Sequence, residues 1–171
     1  MRVEVIKIMG SDLSVVNAAR VSYNKVSEEF DNKDEKLIKY LAEHNHWSPF
    51  AHAFASFRIE APIFVARQLV KHQVGLAWNE VSRRYVHYVP KVYKIDKWRG
   101  RPKNSKQGSD GVVVMSKDMQ FKYDMCIERS ITMYNNMIEE GIAPEQARAV
   151  LPQGMMTEWI WSGSLYAFAR V

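Results

Sequence analysis

Cysteine is almost absent from this sequence, which contains only Cys126 among its 171 residues. A single cysteine cannot form a disulfide within the chain, and this favours a reducing compartment, so we expect a cytoplasmic location. No apolar run approaches the ~20 residues that a membrane span needs. The first residues, MRVEVIKIMG, alternate like a β-strand and have no apolar core of the kind found in signal peptides. We therefore expect no membrane partner.

Motifs for bound metals and for the common nucleotide folds are also missing. The histidines, which include His44, His46, His52 and His87, do not form HExxH, and the chain has no CxxC pair, so we predict no metal site. Neither GxGxxG nor GxxxxGK[ST] occurs, so neither a Rossmann dinucleotide unit nor a P-loop is supported. Cys126 is predicted to lie mid-helix beside an apolar stripe, as a small core residue rather than a nucleophile.

The composition is otherwise typical of one globular domain, with 47% hydrophobic and 25% charged residues. The net charge is +5, which favours anionic partners such as nucleotides, phosphorylated cofactors or nucleic acid. Five basic residues fall between positions 97 and 106 with no acidic residue among them. Such a run is more often a solvated loop than a specific site, and the long loop predicted over 96–111 leaves both interpretations open.

Hydrophobic periodicity predicts a mixture of strands and helices. Residues 2–9 and 53–60 alternate as strands, and apolar residues on both faces of the first indicate a buried strand. The segment VHYVPKVYKI has extended character, although Pro90 makes it an edge or interrupted strand. Helices are predicted after Ser11 or Asp12, from Asp34, from Pro62, over 116–140, from Pro144 to Pro152, and over 157–171.

The last predicted helix, TEWIWSGSLYAFARV, reaches the end of the sequence without a glycine, a cap or a polar tail. A helix this aromatic is not expected to stop at its most apolar turn, so we expect the sequence to lack a C-terminal helical segment. Neither an internal repeat nor a second-domain boundary is visible, and a single domain over residues 1–171 is predicted.

The stretch APIFVARQLVKHQVGLAWNEVSRRY, residues 61–85, starts as an apolar helix and ends in a dense polar cluster. This order indicates a site carried by a rigid element. The alternative is a core helix whose solvated C-terminal end is rich in cations, which suit the helix dipole there. If the stretch is a nucleotide site, the phosphates are contacted by Lys71, Arg83, Arg84 and Arg148. A base or ribose is contacted by Gln68, Asn79, Glu80 and Ser82. The rings stack on Trp47, Trp78 and Tyr85.

The segment ARQLVKHQVGLAWNEVSRRY resembles the signature of flavin-dependent thymidylate synthases, which contains RHR and a downstream serine. ARVSY near residue 20, HNHWSPFAH, APIFVARQ, and EQARAVLP followed by TEWIW match the same family in order and spacing. The resemblance covers essentially the whole chain apart from the basic loop. The sequence departs from the pattern at three points: KHQ at residues 71–73 replaces RHR, one extra residue precedes Ser82, most simply placed near Gly75, and Ala77 replaces a serine.

The resemblance implies the reductive methylation of dUMP to dTMP. Methylenetetrahydrofolate would donate the carbon, and FAD reduced by NADPH would supply the hydride. No cysteine attacks the uracil in this family; the base is activated by polarisation, which needs positioned charges rather than a covalent catalyst. The resemblance also implies a homotetramer whose sites are shared between subunits, with dUMP and folate as small-molecule partners and no nucleic acid.

The site residues implied by the resemblance fall into three groups. Ser82 and His46 are expected to act in catalysis, with His46 near the flavin ring and the folate. The flavin site is expected to contain Ser22, Ser48, Lys71, His72, Gln73, Glu80, Ser164, Leu165, Tyr166 and Arg170. The dUMP site is expected to contain Gln68, Lys71, Glu80, Val81, Ser82, Arg83, Arg84 and Arg148.

The fold expected from the resemblance is α+β, a mixed or antiparallel sheet packed with helices that include the long helix at about 116–140. Two alternatives of function stay open. The basic loop and the aromatic residues also suit a single-stranded nucleic-acid-binding module, and a family member that keeps the fold without catalysis has the same sequence features.

Overall fold

The computed structural model of the chain describes residues 1–86, 88–89 and 91–171, and these group into two compact units. The first unit comprises Met1–Ala61, Val65–Val81 and Thr157–Val171; the second comprises Pro62–Phe64 and Ser82–Met156. The single domain over residues 1–171 stays a prediction. His87 and Pro90, on which the metal and interrupted-strand interpretations partly depended, lie outside the described residues.

The described strands belong to two sheets. In chain order they are β1 (Arg2–Met9), β2 (Phe54–Pro62), β3 (Leu76–Glu80), β4 (Trp98–Gly100), β5 (Asp110–Val113) and β6 (Met156–Ser164). The larger sheet has the order β1-β2-β6-β3, with β1 antiparallel to β2 and β3 antiparallel to β6. The smaller sheet is the antiparallel pair of β4 and β5.

The helices complete an α+β fold, which confirms the expected class. They are α1 (Asp12–Arg20), α2 (Asn32–Glu43), α3 (Ile63–Leu69), α4 (Lys117–Glu139), α5 (Pro144–Ala147) and α6 (Leu165–Phe168), with short 3-10 helices at Val21–Tyr23, Ser48–His52 and Arg148–Val150. The long helix α4 was predicted at about 116–140. None of the helices in the described part of the chain is long and apolar enough to cross a membrane.

Local capping signals define the starts of the longer helices. The Ser116 hydroxyl accepts a hydrogen bond from the Met119 N–H at 3.3 Å ahead of α4. Ahead of α2, the Asp31 carboxylate accepts from the Lys33 and Asp34 N–H groups at 2.7 and 2.9 Å. These backbone bonds, that of Asp34 above all, lower the pKa of the Asp31 carboxyl group. The cap therefore moves the start of α2 ahead of the predicted Asp34.

The hydrophobic core of the first unit lies where α3 meets the large sheet. Ala61, Ala66, Trp159 and Trp161 are buried there. Trp78 on β3 stacks on Trp159, with ring centroids 4.4 Å apart. The core is thus built largely from indole rings on two strands that are far apart in sequence.

The helix predicted over 157–171 is wrong. Residues Met156–Ser164 form β6, and only Leu165–Phe168 are helical. Burial alternates along β6, with Thr157, Trp159 and Trp161 facing the core, and this two-residue period is that of a strand. The expectation of a missing C-terminal segment rested on that supposed helix, and the structure does not test it.

Three further expectations are corrected by the structure. Strand β1 lies at the edge of its sheet and is exposed along both faces rather than buried, with Val3 65% and Ile6 47% exposed. Cys126 lies on α4 but is exposed rather than in the core. The loop predicted over 96–111 has strand β4 near its beginning and β5 at its end.

A buried ion pair joins α1 to α2. The Arg20 guanidinium contacts the Asp34 carboxylate, which is only 1% exposed. Asp34 also accepts a hydrogen bond from the Ser27 hydroxyl at 3.3 Å and from the Asp31 N–H at 3.2 Å. One carboxylate therefore organises the start of α2 and the end of α1.

Candidate active site

The Glu80 carboxylate is held at the end of β3 by two side-chain donors. One oxygen accepts a hydrogen bond from the Thr157 hydroxyl at 2.7 Å, and the other accepts from the Trp78 indole N–H at 3.3 Å. The backbone is held as well, because the Val81 N–H donates to the Glu158 carbonyl at 2.9 Å. Glu80 remains exposed. The structure thus presents a fixed negative charge on a rigid strand end.

The KHQ triplet lies in a turn between α3 and β3. Gln73 opens a turn closed by the Leu76 N–H at 3.2 Å from the Gln73 carbonyl. Gly75, the proposed position of the extra residue, has φ +75°, and a Cβ built on it would lie 3.1 Å from Ala167 Cβ. A glycine there lets the turn pass close to α6. Lys71, His72 and Gln73 are all exposed.

A small cavity lies between the end of α2, the 3-10 helix at Ser48–His52 and α6. Its volume is about 170 Å³. The Trp47 ring, 54% exposed, lies 5.2 Å from the Tyr166 ring, and His46 stacks at 6.1 Å from Tyr40. The cavity is lined by apolar and aromatic side chains with few polar groups, namely Leu41, Ala42, Asn45, His46, Trp47, Phe50, Leu165, Tyr166 and Ala169.

The segment Ser164–Arg170 carries four of the predicted site residues to this cavity or beside it. The buried Ser164 hydroxyl caps α6 by accepting from the Ala167 N–H at 3.2 Å, and the Leu165 N–H donates to the Ala53 carbonyl at 2.8 Å. Arg170 donates to the Tyr166 hydroxyl at 2.8 Å. The structure therefore brings His46, Leu165 and Tyr166 together, with a cation next to them.

In the second unit, residues Ser82–Tyr85 form a turn whose cations differ in exposure. The Tyr85 N–H donates to the Ser82 carbonyl at 3.0 Å. Arg83 is only 6% exposed; it donates to the Tyr88 carbonyl at 2.7 Å and lies 4.5 Å above the Tyr88 ring. Arg84 is exposed and lies 5.1 Å from the Tyr85 ring. Arg83 thus braces the turn, while Arg84 is accessible to an anion.

The remaining predicted residues are accessible but are not joined to these groups by a described contact. Arg148 donates from Nε to the Glu145 carbonyl at 3.2 Å and is exposed. Ser22, Ser48 and Gln68 are also exposed. Their roles in binding stay predictions. Within the described ranges, no group of three or more His, Cys, Asp or Glu side chains is placed to hold a metal ion.

Sequence reasoning missed Thr157 as a partner of Glu80. The two residues are 77 positions apart, and Thr157 was assigned to a helix. Alternation of Thr157, Trp159 and Trp161 is the signal that would have found it, because a strand with this period places all three on one face. The pairing of that strand with β3 then brings Thr157 to Glu80.

The amino-acid sequence of the chain is similar to those of known proteins. Residues 4–171 match the profile of the family described as thymidylate synthase complementing protein. The chain is 40% identical over 164 residues to a protein named flavin-dependent thymidylate synthase from Kosmotoga olearia, which covers 94% of this chain and 70% of the relative. A protein of the same name from Thermosipho africanus is 38% identical over 163 residues and covers 92% of this chain and 69% of the relative.

A solved structure matches the fold over nearly the whole chain. It is the UMP/dUMP methylase PolB from Streptomyces cacaoi bound with 5-Br dUMP, with a TM-score of 0.83 and 31% identity. The match covers 97% of this chain and 73% of that one. A second structure of PolB, bound with 5-Br UMP, has a TM-score of 0.78 and 30% identity.

Proposed function

The chain belongs to the thymidylate synthase complementing protein family and is an enzyme of the flavin-dependent thymidylate synthase type, and from this premise we propose that it methylates dUMP at C5 to give dTMP. The observation that carries the choice of dUMP is the 40% identity to a protein named flavin-dependent thymidylate synthase, and the fold match over 97% of the chain to a UMP/dUMP methylase supports it. Methylenetetrahydrofolate is the proposed carbon donor and NADPH the proposed reductant. A homotetramer in the cytoplasm is the proposed form of the enzyme.

The proposed reaction balances with these reactants. C5 of dUMP forms a bond to the one-carbon unit and loses its proton, and a hydride from NADPH completes the methyl group. Both bonds from that carbon to the folate nitrogens break, and these nitrogens take up two protons, one equivalent to the C5 proton and one from solvent. The products are dTMP, tetrahydrofolate and NADP⁺. FAD, when bound, supplies the hydride-transfer chemistry, and the protein supplies binding and orientation.

The described residues fit a flavin. The rings of Trp47 and Tyr166 beside the apolar cavity suit a flat ring system. Lys71 and Arg170 are exposed, and the described side-chain hydrogen bond of Arg170 runs to the uncharged Tyr166 hydroxyl, so both charges are available to phosphate groups. We infer that Trp47, Tyr166 and His46 contact the ring system and that Lys71 and Arg170 contact the pyrophosphate.

The residues proposed to bind dUMP have two roles: some pair with its phosphate, and others orient its uracil ring. Arg84 and Arg148 are exposed cations suited to the nucleotide phosphate. The Ser82 hydroxyl and the Glu80 carboxylate are proposed to orient the uracil, with Glu80 accepting a hydrogen bond from an N–H group of a bound ring. Arg83 is proposed to act by bracing the turn through Tyr88 rather than by direct contact.

The proposal is tested with purified protein. The protein should show flavin absorbance in the visible range and should form dTMP only when dUMP, methylenetetrahydrofolate and NADPH are all present. Replacing dUMP with UMP tests the sugar preference. Cys126→Ser should retain full activity, because the proposed chemistry uses no thiol. A colourless protein that forms no dTMP after FAD is added would sink the proposal.

Replacing Gly75 with alanine tests the approach of the KHQ turn to α6. We expect Gly75→Ala to lower stability by ~1–3 kcal/mol because an L-residue is strained at φ +75°, and also to lower the flavin bound per chain because its Cβ would push Ala167 away. Gly108→Ala is the matched control, since Gly108 has φ +86° and nothing within 4 Å. Thermal unfolding and the ratio of flavin to protein absorbance measure both effects. Equal flavin content in the two variants would contradict this role for the turn.

A further inference from the structure

The hairpin of β4 and β5 carries nearly all of the net charge of the chain. The whole sequence has 24 basic and 19 acidic residues, and residues 97–110 hold five of the basic ones and one acidic residue, Asp110. The other 19 basic and 18 acidic residues nearly balance. The positive potential is therefore concentrated on a single loop, and this concentration calls for an anionic partner.

None of the five cations is neutralised within the part of the chain that the structure describes. Lys97, Arg99, Arg101, Lys103 and Lys106 are exposed. Their only described side-chain bonds run from Arg99 to the Ser109 hydroxyl at 3.2 Å and to the Ser109 carbonyl at 3.5 Å. Both acceptors are uncharged. The loop thus presents five positive charges to solvent without a described ion pair.

The hairpin has a fixed base on α4. The Trp98 indole N–H donates to the Gln120 side chain at 3.2 Å, and the Trp98 ring meets the Tyr123 ring edge to face at 5.1 Å. At Gly100, an added Cβ would lie 2.7 Å from the Asp110 carbonyl oxygen, so a glycine lets the two strands meet closely. The cations are therefore carried by an anchored element rather than by an unattached loop.

A groove with an exposed ring lies beside the base of the hairpin. Its volume is about 530 Å³, and Trp98, Val113, Lys117 and Phe121 are among its lining residues. The Phe121 ring is 64% exposed, although phenylalanine is among the residues most often buried in folded proteins. Acidic residues also line the groove, so its own charge is mixed. Lys97 and Lys117 line the groove together with Phe121. A ring beside cations is the combination that single-stranded nucleic acids require, because bases stack on rings while phosphates pair with cations.

We propose that the β4–β5 hairpin and the Phe121 groove form a binding site for single-stranded nucleic acid. The loop cations contact the phosphates, and a base stacks on Phe121. This is a second activity, carried by the second unit alone, and it does not depend on the proposed methylation of dUMP. Stacking on a ring and pairing with phosphates do not depend on base identity, so binding is expected to be tolerant of sequence.

Fluorescence anisotropy with labelled 20-nucleotide dT and rU strands, at several salt concentrations, tests the proposal. The triple variant Arg101→Gln, Lys103→Gln, Lys106→Gln should bind at least about tenfold more weakly and should lose about 2 from the slope of log K against log salt, since each phosphate contact contributes about 0.7. The charge-matched control Lys25→Gln, Lys33→Gln, Lys36→Gln alters exposed lysines of the first unit and should bind like the wild type. Far-UV circular dichroism checks that every variant is folded.

The ring contribution is tested separately. Phe121→Ala should weaken binding by about 5- to 150-fold with little change in salt slope, because it removes stacking and no charge. The dT and rU arms show whether DNA or RNA is preferred. The proposal is overturned if the wild type fails to bind either strand, if the two triple variants bind equally, or if Phe121→Ala binds like the wild type. It is also overturned if poly-L-glutamate of matched charge competes as well as the oligonucleotide, since the site then responds only to negative charge.

Discussion

Replacing Glu80 with glutamine is expected to lower kcat for dTMP formation by at least about 100-fold, the loss typical of removing one preorganised electrostatic group from an active site. The carboxylate is fixed by Thr157 at 2.7 Å and by Trp78 at 3.3 Å, so its charge is oriented before any ligand binds. Glutamine keeps the size and removes the charge. Steady-state assays with dUMP, methylenetetrahydrofolate and NADPH measure the change.

The glutamine is expected to be accommodated without unfolding the protein. A hydroxyl both donates and accepts, so Thr157 can accept from the new amide while the amide oxygen accepts from Trp78. We therefore expect the thermal midpoint of Glu80→Gln to lie near that of the wild type. The loss of rate would then report on the charge and not on folding.

Glu158→Gln is the matched control for Glu80→Gln. Glu158 lies on the partner strand β6, but its carboxylate faces Arg2 and Arg58 at 3.5 and 3.8 Å on a half-exposed surface. Removing that charge should leave kcat unchanged within about twofold, because successive side chains of a strand point to opposite faces and Glu158 therefore faces away from Thr157 and Glu80. If Glu80→Gln and Glu158→Gln have the same kcat, Glu80 does not hold the proposed role.

Replacing Asp34 with alanine is expected to destabilise the protein by about 3–5 kcal/mol, the usual cost of removing one partner from a buried ion pair. The substitution leaves the Arg20 guanidinium, which is 27% exposed, without its counter-charge. It also removes the acceptor of the Ser27 hydroxyl and of the Asp31 N–H. For a chain of this length the thermal midpoint should fall by roughly 6–20 °C. Urea unfolding followed by circular dichroism gives the free energy directly.

Glu35→Ala is the matched control on the same helix. Glu35 pairs with Lys39 at 2.7 Å, but both side chains are more than half exposed, so the expected loss of stability is far smaller than that of Asp34→Ala. The double variant Arg20→Met, Asp34→Leu should recover much of the stability lost in Asp34→Ala, because it removes both charges and fills the space with apolar atoms. If Asp34→Ala costs no more than Glu35→Ala, the pair does not hold α1 to α2.

The helices were the most predictable part of the fold because their signals are local. Helix α4 begins after Ser116, whose hydroxyl caps Met119, and its apolar residues keep helical spacing up to Glu139. The predicted start of α2, Asp34, was two residues too late. The helix begins at Asn32 because Asp31 supplies the N-cap. Errors of this size come from competition between neighbouring capping residues.

The strands were less predictable because their identity depends on partners far along the chain. TEWIWSGS has aromatic and small residues that suit either a buried helix or a buried strand, and β6 is a strand because β2 and β3 flank it in the sheet. No strand was predicted over the segment LAWNE after the KHQ turn, for the same reason. It is strand β3, and its pairing of Glu80 with Trp159 has no counterpart in the local sequence.

The sequence by itself determined the α+β class through its resemblance, the order of the family segments, the long helix, and the concentration of positive charge between Lys97 and Lys106. These features are carried by local order or by composition, and they do not depend on how the chain packs. Only the tertiary structure decided that β6 lies between β2 and β3, that Thr157 holds Glu80, and that His46 and Tyr166 line one cavity. Each of these contacts joins residues separated by many positions, so the physical reason is the same: long-range pairing and packing, rather than local preference, choose the partner.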